Sequence, residues 1–215
     1  DVPLFNRAVQ GQYPPGSTIK PLMGIAGLES GLVTPESTVP DPGWYRLPGD
    51  TRRYRDWILR IRGTGHAPEV DLHMALAESC DVYFYDLARR LTVDRMHDYL
   101  APFGLGARTG IDTTNERPGV LPSSEWKRRT LGQPWYPGET LSVGIGQGYM
   151  LTTPVQLAAA TAAIANRGVF HVPKLVRRIG GEAVAPAPAR VIEAAPETWD
   201  AIHEGMRAVV HGERG

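Results

Sequence analysis

The chain has 215 residues, 42% of them hydrophobic, which is enough for a single domain with a sizeable core. Its 23 basic and 23 acidic residues cancel, so overall charge gives no reason to expect a nucleic-acid partner. No apolar stretch reaches membrane-spanning length, Asp1-Val2-Pro3 is not a signal peptide, and one cysteine excludes an internal disulfide.

The first predicted element is a helix over residues 17–30. Ile19, Leu22, Met23, Ala26 and Leu28 recur at helical spacing until Gly31 stops them. Pro21 has no N–H and clashes with the carbonyl four residues back, so the helix begins no earlier than about Ser17. Ser17-Thr18-Ile19-Lys20 therefore falls in its first turn. Positions i and i+3 share a face, so the lysine stem folds back over the hydroxyl and can take its proton. Free N–H groups and the positive dipole end of such a turn suit a developing oxyanion. The same residues also read as a helix cap followed by an exposed lysine. With seven serines and three lysines, chance gives about 0.1 Ser-x-x-Lys pairs, yet a second occurs at Ser124-Glu125-Trp126-Lys127. There Ser123 or Ser124 reads as an N-cap with Glu125 in the first turn, and no long apolar helix follows. We read this second pair as a decoy.

Residues 34–68 show no sustained period, and loops that long inside a compact domain are usually functional. The basic run from Arg52 to Arg62 within it reads as a solvated surface. Helices are predicted near 71–78, 82–91 and 94–103. Ser79-Cys80-Asp81 sits at the first junction, where a hydroxyl and a short polar side chain can face a cleft and relay protons. Residues 105–150 read as irregular, with Pro118, Pro122, Pro134 and Pro137 as breaks. Gly144-Ile145-Gly146-Gln147-Gly148 precedes a helix over Thr153–Ala165 that has Pro154 at its first position. Val169–Ile179 reads as a strand interrupted by Pro173, Val184–Val191 as weakly structured, and 196–210 as a helix.

Several segments together resemble the transpeptidase domain of class B penicillin-binding proteins, in particular the rod-type penicillin-binding protein 2 group. They are Asn6-Arg7-Ala8, Tyr13–Pro21, Asp41-Pro42-Gly43-Trp44, Tyr54-Arg55-Asp56-Trp57, Ser79–Tyr85, Thr109-Gly110-Ile111-Asp112, Trp135-Tyr136 and Gly144–Gln156. Their order and spacing span nearly the whole chain. The resemblance implies an α+β, penicilloyl-serine transferase (β-lactamase/DD-peptidase-like) fold, with helices flanking a central antiparallel sheet. It implies a peptidoglycan DD-transpeptidase of cell elongation that is also acylated by β-lactams. Ser17 would be the nucleophile, Lys20 its base, and Ser79 the proton relay to the leaving amine, oriented by Asp81 or Lys20. Gly146 and Gln147 would line the cleft floor. The family's second motif usually ends in Asn; here it ends in Asp81, which can titrate. A serine β-lactamase would need a water-positioning acid, for which Glu116 and Glu125 are the candidates, and a non-enzymatic β-lactam sensor would be acylated without turnover.

The resemblance also implies a structural Zn²⁺ on Asp41, Asp56, His66 and Cys80, although no cofactor is required for the chemistry. Their spacings of 15, 10 and 14 match no compact finger signature, and they also read as two turn formers, a loop histidine and a buried thiol. His73, His97, His171, His203 and His211 have no acidic or cysteine company at ligand spacing and receive no role. The family's third motif, Lys-Thr-Gly on a strand, occurs nowhere in the 215 residues. The expectation is that 1–215 is a partial transpeptidase domain, with that strand and much of the sheet further along a longer chain. Implied partners are peptidoglycan stem peptides, a SEDS-family glycosyltransferase and rod-complex scaffold proteins. The implied location is the periplasmic side of an inner membrane, with the anchor elsewhere.

Overall fold

The computed structural model describes residues 5–215. Helix α2 (Lys20–Glu29) is its centre: Leu22, Met23, Ile25 and Ala26 are buried, as are Gly24 and Gly27. A helix that is apolar on nearly every side must be surrounded. The short α1 (Arg7–Gln10) precedes it. Around α2 lie α4 (Leu72–Ala77), α5 (Asp81–Leu91), α6 (Val93–Leu100) and α10 (Pro196–His211). Helix α5 turns Val82, Phe84, Leu87, Ala88 and Leu91 into the shared core. Helix α10 docks through Trp199 and Ile202 and crosses α4 closely at Gly205, where a Cβ would lie 2.5 Å from Leu76 Cδ1.

The remaining helices are α3 (Leu59–Arg62), α7 (Ser124–Leu131), α8 (Pro137–Gly144) and α9 (Pro154–Ala165). Helix α7 starts from the cap expected at Ser123 or Ser124, with Glu125 in its first turn, whereas α8 lies where the stretch 105–150 is expected to be irregular. Pro137, taken there as a break, occupies the first turn of α8, where its missing N–H costs nothing. Glu139 closes that turn by accepting the Tyr136 N–H at 2.9 Å. Helix α9 starts as expected: Thr153 Oγ1 accepts from Gln156 N, and Gln156 Oε1 accepts from Thr153 N.

Strands are short and pair antiparallel in twos among the described residues: β1 (Val39–Pro40) with β4 (Glu69–Val70), and β2 (Trp44–Tyr45) with β3 (Tyr54–Arg55). Further on, β5 (Val169–Phe170) pairs with β8 (Arg190–Val191), and β6 (Arg178–Ile179) with β7 (Glu182–Ala183). The single strand expected over Val169–Ile179 is therefore two separate two-residue strands in different ladders. Pro173 lacks the N–H that a continuing ladder needs. The β1–β4 pair closes the neck of the long 34–68 stretch, so residues 41 and 66 return to one place.

Candidate active site

Ser17 lies in a 3-10 turn, Gly16–Ile19, that leads into α2, rather than inside the helix as the sequence suggested. Pro21 supplies the reason. It cannot donate to the Ser17 carbonyl, so that oxygen accepts instead from Lys20 N–H, one residue closer, which tightens the turn. The Ser17 side chain is solvent-exposed. Behind the turn, the Gly144–Gln156 segment is stitched to the Tyr13–Gly16 segment. Gly16 N–H donates to Gly146 O at 2.8 Å, and Tyr13 and Thr152 exchange two backbone hydrogen bonds of 2.8 Å. Gly146 has φ +70°, and a Cβ there would stand 2.2 Å from Gly16 O, so only glycine permits this approach. Gln147 is exposed beside it.

Lys20 is 2% exposed and points inward to the second motif. Its Nζ donates to Ser79 O at 2.8 Å, Ser79 Oγ at 3.1 Å and Asp81 Oδ1 at 2.6 Å. That uses all three ammonium protons. Among the described residues no hydrogen bond joins Lys20 to Ser17 Oγ; the carbonyl and carboxylate draw the ammonium away from the i, i+3 contact the sequence suggested. Burial raises the Asp81 carboxyl above its ordinary value, against the lowering effect of the Lys20 ammonium.

Ser79 has a left-handed backbone, φ +56°, at the C-terminal end of α4. Ser79 N–H donates to Leu76 O, and Cys80 N–H to Ala75 O, the double closure that normally places glycine at this position. A serine there stores strain of about 1–3 kcal/mol, and the strained backbone presents its carbonyl and hydroxyl to Lys20.

The sequence-predicted metal set also converges. Asp41, Asp56, His66 and Cys80 are all buried, with one ligand atom of each within 4.8 Å of the others. Cys80 Sγ lies 3.6 Å from Asp41 Oδ2, and His66 Nε2 lies 3.2 Å from Asp56 Oδ1. Two carboxylates, an imidazole and a thiol are a donor set that suits tetrahedral zinc. Glu78, which sequence reasoning missed, stands 3.3 Å from His66 Nδ1 on the far side of the ring. An outer carboxylate on a ligating histidine is a usual companion of such centres. The carboxyl of Asp56 is opposed by burial but held below its ordinary range by His66 and the backbone N–H groups of Ile58 and Val82. Burial, reinforced by Asp41 and Asp56, pushes the Cys80 thiol well up.

Trp57, the end of the Tyr54-Arg55-Asp56-Trp57 segment, had no role assigned from the sequence. Its indole Nε1 donates to Ser79 O at 3.0 Å, and its ring meets His66 edge-on at 5.6 Å. The decoy pair behaves differently from Ser17 and Lys20. Ser123 is the cap, accepting from Trp126 N at 3.0 Å, and Ser124 Oγ donates to Asp94 at 2.6 Å. Lys127 is buried, paired with Glu139, and lies over the rings of Tyr136, Tyr149 and Trp135.

An exposed serine on a tight turn, a buried lysine reaching a Ser-x-Asp junction and a glycine segment clasping the turn thus come together in one place. The family profile described as "Penicillin binding protein transpeptidase domain" matches residues 1–215, and the chain belongs to that family. It is 44% identical over 220 residues to the peptidoglycan D,D-transpeptidase MrdA of Acinetobacter baumannii, covering 100% of this chain and 32% of that protein. The MrdA protein of Escherichia coli (strain K12) is 38% identical, with 100% and 34% covered. The crystal structure of Pseudomonas aeruginosa PBP2 in complex with WCK 5153 superposes with a TM-score of 0.91 at 48% identity, covering 99% of this chain and 48% of that one. Helicobacter pylori PBP2, in its complex with MreC, gives a TM-score of 0.87 at 32% identity, covering 99% and 38%. The α+β penicillin-binding transpeptidase fold is thereby established, while this chain spans about a third of the length of the MrdA proteins.

Proposed function

We propose that this chain is the nucleophile-bearing part of a peptidoglycan D,D-transpeptidase that works through a Ser17 acyl-enzyme. The observation that carries the proposal is Lys20 Nζ, which bridges from the nucleophile turn to Ser79 Oγ and Asp81 Oδ1. Lys20 passes one ammonium proton to the Asp81 carboxylate it contacts at 2.6 Å and, thus neutral, accepts the proton on Ser17 Oγ. Ser17 attacks the penultimate D-Ala carbonyl, its C–N bond breaks, and Ser79 relays a proton to the departing D-Ala amine. The amine of a second stem peptide then attacks the ester, restoring Ser17 and forming the cross-link. Proton transfer of this kind contributes about 10²–10⁴ in rate. Ser17 N–H supplies one oxyanion donor, Gly146 shapes the cleft floor, and Gln147 lines it.

A β-lactamase reading lacks its acid. Both Glu116 oxygens are taken by Thr109 and Gly110, and Glu125 is exposed beside Arg128. We also propose that residues 1–215 are part of a larger transpeptidase domain whose Lys-Thr-Gly strand lies beyond them; the one-third share of the relatives' length supports this. No helix of the described residues is long and apolar enough to cross a membrane, and the periplasmic setting is carried over from the family. Rod-complex scaffold and glycosyltransferase partners are likewise part of the proposal. They are supported by the solved Helicobacter pylori PBP2–MreC complex and by a neighbour described as a peptidoglycan synthase complex.

Asp41, Asp56, His66 and Cys80 would hold a Zn²⁺, with Glu78 fixing the outer nitrogen of His66. Four protein ligands leave no position for water, so the metal would be structural, tying the 34–68 stretch to the second motif. The reading is tested on the full-length protein with a stem pentapeptide. Release of D-Ala with formation of cross-linked product supports it, and penicillin labelling without any peptide turnover refutes it in favour of a sensor.

A further inference from the structure

The basic run from Arg52 to Arg62 is left unused by this chemistry, and its members are not equivalent. Arg52 lies over the Tyr54 ring at 4.8 Å and Arg53 over Trp44 at 4.4 Å. Arg62 pairs with buried Glu78 at 3.4 Å. Arg55 and Arg60 are exposed, and among the described residues neither has a carboxylate or an aromatic ring to answer its charge. Both line a surface cavity of about 500 Å³, together with Trp57, Leu59 and Asp56.

The Asp56 carboxylate does not neutralise them. It is buried, with Oδ2 accepting the N–H groups of Asp81 and Val82, and Oδ1 accepting Ile58 N–H and meeting His66. Its charge is therefore turned inward, onto the first turn of α5. Trp57 connects the cavity to the reacting groups. Although 45% exposed, it reaches Ser79 O at 3.0 Å, the same oxygen that Lys20 Nζ contacts at 2.8 Å. Anything lying on the indole in this cavity is thus held beside the second motif.

A tryptophan sharing one cavity with two unanswered guanidiniums matches a peptide that bears a free carboxylate. Guanidinium forms forked hydrogen bonds to carboxylate, and the ring accepts the adjoining chain. We infer that this cavity is a subsite for a carboxylate of the stem peptide, upstream of its D-Ala-D-Ala end, bound by Arg55 and Arg60 over Trp57. The inference rests on the transpeptidase reading above and names what that site selects. Arg55 and Arg60 touch no reacting atom, so they act in peptide binding and not in acylation by a small lactam.

The test uses full-length protein and two synthetic pentapeptides ending in D-Ala-D-Ala, one with a free upstream carboxylate and one with its primary amide. Binding is measured on a Ser17→Ala background, so that the subsite is read independently of turnover. The acid should bind about tenfold more tightly than the amide, with the preference shrinking as salt rises. Arg55→Gln with Arg60→Gln should remove that preference while leaving amide affinity and the melting temperature unchanged. On the Ser17-bearing protein the same double substitution should leave penicillin acylation unchanged; Arg60→Gln alone gives a second, milder variant. Equal affinity for acid and amide, or equal weakening of both by the double substitution, overturns the subsite. Failure of the transpeptidase reading appears separately, as no D-Ala release by the Ser17-bearing protein from either peptide.

Discussion

Two Ser-x-x-Lys segments in one chain have opposite fates. At Ser17 and Lys20 the serine is exposed on a 3-10 turn, and the lysine is buried against a hydroxyl, a carbonyl and a carboxylate from a junction some 60 residues away. At Ser124 and Lys127 the serine hydroxyl is tied to Asp94, and the lysine is enclosed by aromatic rings and Glu139. Spacing is the same in both; what differs is that the fold brings the Ser79–Asp81 junction to Lys20 and an aromatic pocket to Lys127. On the proposed function, only the first of these arrangements makes the serine a nucleophile.

The largest expected effect follows from that contrast. In the full-length protein, Lys20→Ala should slow penicillin acylation by at least about 10³, since it removes both the proposed base and the anchor of Ser79. Lys127→Ala should leave the acylation rate within about threefold while lowering the melting temperature, because it deserts Glu139 inside an aromatic box. Stopped-flow acylation and thermal melts on the pair check this; equal acylation defects would erase the distinction between the two segments.

The second motif offers a sharper test, since its strain and its chemistry pull in opposite directions. Ser79→Gly deletes the hydroxyl and relieves φ +56°. Acylation should fall about 10²-fold, while stability rises by about 1 kcal/mol. A Ser79→Gly protein that is less stable than the parent would show that the hydroxyl's contact with Lys20 outweighs the backbone strain.

Metal removal should have an intermediate effect. Zinc near one equivalent is expected in the purified protein, and chelation or Cys80→Ser should lower the melting temperature and slow acylation without altering the site of labelling. Well under one equivalent, with melting unchanged by chelator, would return Cys80 to a buried thiol.

The smallest predicted difference separates two glycines of similar φ. Gly146 (φ +70°) faces Gly16 O at 2.2 Å from a built Cβ, whereas Gly132 (φ +66°) has nothing within 4 Å. Both Ala substitutions cost about 1 kcal/mol in backbone strain, but only Gly146→Ala should also slow acylation, by displacing the nucleophile turn.

Ser17, Lys20, Ser79 and Asp81 are conspicuous in the sequence as reactive types at short spacing, whereas Asp41, Asp56, His66 and Cys80 match no spacing signature and are picked out through the family resemblance. Their convergence is what the structure adds, through the β1–β4 neck that returns His66 to Asp41 and the inward course of Lys20. Glu78 carried no signal, since a glutamate at a helix end is ordinary until its partner is known, and Trp57, though part of the Tyr54-Arg55-Asp56-Trp57 segment of the resemblance, gave no hint of its bond to Ser79. Helix α8 was missed because proline is a break inside a helix and a good residue at its start, and only the backbone distinguishes the two. The residue 169–179 strand was over-read for the opposite reason: its β-branched residues suggest a strand, but Pro173 denies it a continuous ladder. The Lys127 side chain is held inside by the rings of Trp135, Tyr136 and Tyr149, which come from two segments that no local pattern joins to it.

The central claim, that Ser17 and not Ser124 is acylated, is tested most directly by peptide mass spectrometry of the full-length protein after exposure to penicillin. The account predicts a penicilloyl adduct on the peptide containing Ser17, retained in Ser124→Ala and lost in Ser17→Ala. An adduct on the Ser124 peptide, or one that survives Ser17→Ala, would contradict it.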